Sequence, residues 1–93
     1  MGMDKKMPRV GETVYVIYGD EIYEEKVFAV GEKHFILESF RTTVELYWLQ
    51  KVEDKDDSWF FDLEKAKDEL LSRYNDEYEL VEYTKRWYGV RRL

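Results

Sequence analysis

Twenty residues, GETVYVIYGDEIYEEKVFAV (11–30), constrain the fold more than any other stretch. In GETVYVIY, Val14, Val16 and Tyr18 fall on one face and Tyr15 and Ile17 on the other. Successive strand side chains point to opposite faces, and β-branched and aromatic residues suit a pleated surface, so residues 12–18 read as a strand. Gly19-Asp20 is a turn signal. EIYEEKVFAV continues extended, with Ile22, Phe28 and Val30 in one register and Tyr23, Val27 and Ala29 in the other. Glu24 and Glu25 are adjacent, so one is expected to face solvent and the other to sit at an edge or bulge.

The pattern then repeats. Gly31-Glu32-Lys33 is a short connection, HFILESF a third strand, and TVELYWLQKV a fourth (43–52), with Val44, Leu46, Trp48 and Val52 facing inward. Short turns between strands make a meander of local hairpins. From Asp62 the period changes. Leu63, Ala66, Leu70 and Tyr74 form one helical stripe, widened by Leu71, with Asp62 as N-cap, Glu64 at the positive end of the dipole and Asn75 at the exit. EYELVEYTKRWYGVRRL returns to strand character, as one strand or as a hairpin through Thr84–Arg86.

The expected order is β-β-β-β-α-β, with an optional last strand. This is an α+β chain in which a small, bent antiparallel sheet, partly closed like an SH3-type barrel, packs one helix. Ninety-three residues leave room for one core, read here as residues 10–93 behind a flexible lead-in, 1–9.

Charge narrows the function. The net charge is −6, unevenly spread: residues 53–82 hold twelve acids against four bases, whereas 83–93 hold four bases and no acid. Phosphate binding needs a basic face, so duplex nucleic acid is disfavoured as a partner and a basic protein surface is favoured. No apolar run is long enough for a membrane span and no signal peptide is readable, which predicts a soluble, cytoplasmic protein without membrane contact. The absence of cysteine removes disulfides and thiolate metal sites.

The acidic run EDKDDS (53–58) invites a calcium-loop reading. A loop starting at Asp54 puts Asp56 and Ser58 at ligand positions, but Trp59 stands where the sharp turn needs glycine and Lys65 where the bidentate glutamate belongs. A solvated loop feeding a helix fits better, and no metal or cofactor is expected. The single histidine, His34, heads a strand beside a turn, with no cysteine and only three serines in the chain, so no nucleophilic triad is readable and no catalysis is expected. The glycines are scattered, so no phosphate-binding loop is present.

Two interaction surfaces follow. Asp56, Asp57, Glu64, Asp68 and Glu69, with sheet aromatics such as Tyr15 and Tyr23, could engage a protein partner. Alternatively Arg86, Trp87, Arg91 and Arg92 could hold single-stranded nucleic acid by stacking and charge. Against the second stands a plainer arrangement, with Trp87 and Tyr88 packed inward and the arginines paired to the acidic helix. A structural subunit, dimerising through unpaired barrel edges, is also open.

GETVYVIYGDEIYEEKV followed by SWFFDLEKAKDEL resembles short, mostly uncharacterised proteins of low-GC Gram-positive bacteria, their phages and mobile elements, in which an SH3-like β segment precedes a W-F-x-x-L-E-x-A-K helix start. The resemblance spans residues 11–71 and is carried most specifically by Trp59, Phe60, Leu63 and Ala66. It implies an accessory protein that binds and inhibits host machinery, as anti-CRISPR proteins do, with the acids standing in for phosphates. It carries no catalytic residues.

Overall fold

The computed structural model describes residues 6–39, 46–53 and 57–93. Its elements are β1 (Thr13–Tyr18), β2 (Glu21–Val30), β3 (His34–Ser39), β4 (Leu46–Lys51), β5 (Trp59–Phe60), α1 (Leu63–Ser72), β6 (Tyr78–Thr84) and β7 (Trp87–Arg92). β1 and β2 form the expected hairpin, with Tyr18 opposite Glu21 and Gly19 at φ +65°, a conformation that glycine adopts without steric cost. The strand order β4-β3-β2-β1-β5 makes a curled antiparallel half-barrel, and β7 pairs with the start of β2 and with β6.

β2 is the spine. Its first residues pair with β7, Ile22 opposite Tyr88, while its second half pairs with β3, Val27 opposite Leu37. The inner face of the curl buries Val14, Val16, Val27, Phe35, Leu37, Val52 and Trp59. The outer face buries a second cluster, Ile17, Ile22, Ala66, Leu70, Tyr88 and Val90, under α1. Asp62 caps α1 by accepting from the Glu64 amide at 3.0 Å. Of the expected stripe, Ala66 and Leu70 are buried, while Leu63 and Tyr74 pack at the margin.

Several expectations are corrected. Met7 packs on the inner core and Pro8 is fully buried, so the lead-in is anchored at least from residue 7. Phe28 keeps the face of Ile22 but is 51% exposed, and the register shift between Val27 and Ala29 sets Val30 opposite Phe35, so Val30, 44% exposed, leaves that register. Glu25 is fully buried in a central strand, opposite Val14, not at an edge, and the bulge falls beyond it. Tyr18 shares the face of Val14 and Val16, as the alternation implies, but lies exposed at the rim, where it stacks on Trp48. The helix ends at Ser72 with Arg73 as C-cap, and Asn75 instead receives the Glu77 amide in a separate turn. The fourth strand is seen from Leu46; Val44 lies outside the described residues.

Candidate functional site

The two surfaces expected from the sequence have different fates. Among the acids, Asp56 lies outside the described residues. Asp57 is exposed at φ +48°, and Arg73 donates to its carbonyl at 3.4 Å, holding this loop residue against the end of α1. Glu64 and Asp68, one helical turn apart, lie on the solvent side of α1. Glu64 is paired at 3.3 Å with Lys67, and Glu69 at 3.1 Å with Arg73, whereas Asp68 has no ion pair among the described residues.

Tyr15 and Tyr23 do not present the expected exposed rings. Tyr15 is half-buried beside the outer core, and burial, then Glu24, raises its pKa above 10.0. Tyr88, buried nearby, is raised by burial first and by Glu82 second, and its hydroxyl donates to the Lys85 carbonyl at 2.8 Å. Tyr23 is buried on the opposite face and its hydroxyl donates to Glu21.

The basic tail is committed to the sheet. Arg86 pairs with Glu24 at 3.3 Å, Arg91 with Glu79 at 3.2 Å and Arg92 with Glu77 at 3.2 Å. These partners are strand and turn acids, not the helix acids that the sequence suggested. Tyr88 packs inward as expected, but Trp87 stays 37% exposed, stacked beside Tyr23 and against Tyr83. The arginine heads face acids and the indole is engaged by neighbouring rings, so the tail offers less free charge than its sequence implies.

His34 is half-buried, opposite Lys51. Among the described residues no group of three or more His, Asp or Glu side chains could hold a metal ion.

One surface was not singled out from the sequence. Phe28, Tyr47 and Leu49 are 51%, 44% and 65% exposed, and the Phe28 and Tyr47 rings lie 4.6 Å apart. Ile36, half-buried, stands in register with Leu49. All four lie on the face whose other half is covered by α1. The available signal was β4 itself: Tyr47 and Leu49 alternate with Trp48, giving an apolar residue to each face.

No family model, curated protein or solved structure matches the chain. No helix among the described residues is long and apolar enough to cross a membrane.

Proposed function

We propose that this chain is a non-catalytic protein-binding module, acting as a cytoplasmic accessory or inhibitor protein that meets a basic partner surface through α1. One observation carries the reading. The tail arginines are paired with Glu24, Glu77 and Glu79, so the nearest excess cations in sequence do not neutralise the solvent side of α1. Asp68 there has no ion pair among the described residues, and Glu64 keeps a side-chain exposure of 76% despite Lys67.

A partner with a nucleic-acid-binding cleft fits this surface by charge, with Glu64 and Asp68 at phosphate-like positions. The resemblance to phage and mobile-element proteins supports the same class of partner. The charge at stake is exposed, so it acts mainly on association rate and specificity, and binding should weaken as salt rises.

The test is affinity capture from lysate of the organism carrying the gene, with wild type and the triple variant Asp57→Lys, Glu64→Lys, Asp68→Lys run in parallel. A partner lost by the variant and released by salt supports the reading. A partner held equally by both proteins refutes it.

A further inference from the structure

The outer face of β2 is covered over half its length. α1 packs on β1, β2, β5 and β6, closing the outer core around Ile22 and Tyr88. Ten helical residues span about 15 Å, whereas ten strand residues span about 33 Å, so this helix cannot also cover the far half of β2. There the same face carries the strip Phe28, Ile36, Tyr47 and Leu49.

We infer that this strip is the interface of a twofold-symmetric dimer of this chain, formed face to face and not through barrel edges. The first argument is charge. Lys26 and Glu38 stand in register at one end of the strip and His34 and Lys51 at the other, so both signs are present. The segment 53–82 has twelve acids against four bases, and two copies meeting there would repel. The strip is where two acidic molecules can approach without that cost.

The second argument is symmetry. Glu38 lies two residues to one side of the Ile36–Leu49 row and Lys51 two residues to the other, about 7 Å each way along the strands. A twofold axis running across the strands through that row turns the second copy end for end. Glu38 of each copy then lies over His34 of the other, one strand spacing, about 4.8 Å, from Lys51 and within reach of its long side chain, forming two equivalent pairs, as an isologous interface requires. The same rotation carries the second helix away from the first, because each α1 stands over the opposite end of β2.

The third argument is area. Side chains of this size bury about 150–250 Å², so the exposed parts of Phe28, Tyr47 and Leu49 total roughly 300 Å². Homodimer interfaces are about 65% apolar, which implies a patch of roughly 450–500 Å² per copy. That is below the ~800 Å² per partner of a standard stable interface and points to a weak, reversible dimer.

Sedimentation equilibrium from about 1 to about 500 µM, the range in which weak reversible dimers form, tests this. Wild type is expected to pass from monomer to dimer. Leu49→Glu, at a position 65% exposed in the monomer, is expected to remain monomeric throughout. Glu38→Lys is expected to weaken association about tenfold or more by opposing like charges, and Glu38→Lys with Lys51→Glu to restore it. A wild type that stays monomeric, a dimer that survives Leu49→Glu, or a charge-exchanged protein no tighter than Glu38→Lys alone would each overturn the inference. Circular dichroism of each variant verifies that the monomer is folded. The outcome is independent of the capture experiment, which reads α1.

Discussion

Replacing Trp59 by phenylalanine tests the inner core most directly. Trp59 is fully buried, lies edge-on to Phe35 and Phe61 at 4.9 and 5.0 Å, and donates from Nε1 to the Val52 carbonyl at 2.8 Å. Two costs follow. The Val52 carbonyl loses its indole partner in a buried setting, which costs about 1–3 kcal/mol. The smaller ring leaves roughly 40 Å³, adding about 1 kcal/mol at ~24 cal/mol per Å³ if the site does not collapse. The sum, about 2–4 kcal/mol, is a large share of the roughly 5–14 kcal/mol expected for a domain of this length.

Urea unfolding is the assay. The midpoint should fall with the slope unchanged, and Tm should drop by about 8–32 °C at ~4–8 °C per kcal/mol. Trp87→Phe is the control. Trp87 is 37% exposed, so the loss there should stay under about 1 kcal/mol. A Trp59→Phe loss no larger than the control, below about 0.5 kcal/mol, would refute the idea that loop and sheet are joined through this indole.

Three further outcomes follow. Asp62→Ala removes the oxygen that receives the Glu64 amide and should cost about 1 kcal/mol in the same unfolding assay, with Asp62→Asn recovering most of it. Tyr15 and Tyr88 have pKa values raised above 10.0, so the unfolded chain gives up these protons first as pH rises. Stability is therefore flat in these groups below about pH 10 and falls above it, and Tyr15→Phe should flatten that alkaline loss in thermal melts at stepped pH. A Cβ at Gly89 would stand 2.6 Å from the Tyr83 ring, so Gly89→Ala should destabilise wild type by about 1 kcal/mol. In a Tyr83→Ala background the same change should be neutral or stabilising by up to ~0.5 kcal/mol, a sign reversal that a double-mutant cycle reads directly.

The parts of this fold legible in the sequence are those that local periodicity determines. The β1–β2 hairpin, the stripe Ala66–Leu70 and the cap at Asp62 depend on neighbours within a few residues, and each is found. The fates of Val30 and Glu25 depend on pairing across strands. One extra residue at the bulge changes which face Val30 takes, and nothing in VFAV announces it. The tail arginines were similarly opaque, because Arg91 meets Glu79 only through the register of β6 and β7. Charge summed along the chain identified the acids and bases correctly but could not choose their partners. The acidic segment lost its appearance as an ion site for a local reason, the lysine and tryptophan at two required positions. Its proposed role as a contact surface rests on what the distant arginines do.

A sheet with one core on its inner face at one end and a second core on its outer face at the other must leave two half-faces uncovered. The chain treats them differently. On the inner face beyond the curl, Trp87 stacks beside Tyr23, Tyr83 lies across Gly89 and Trp87, and Arg91 reaches Glu79, so the rings cover backbone and one another. On that half-face Tyr83 and Trp87, 44% and 37% exposed, pack on each other among paired charges. On the outer face beyond α1, Phe28 meets Tyr47, but Leu49 stays 65% exposed. An aromatic pair flanked by a bare leucine, with Glu38 and Lys26 at one end and Lys51 at the other, is an arrangement that a second surface completes. The two half-faces arise from one geometric necessity, and they differ in chemistry: one sets its rings among paired charges, the other leaves a leucine bare.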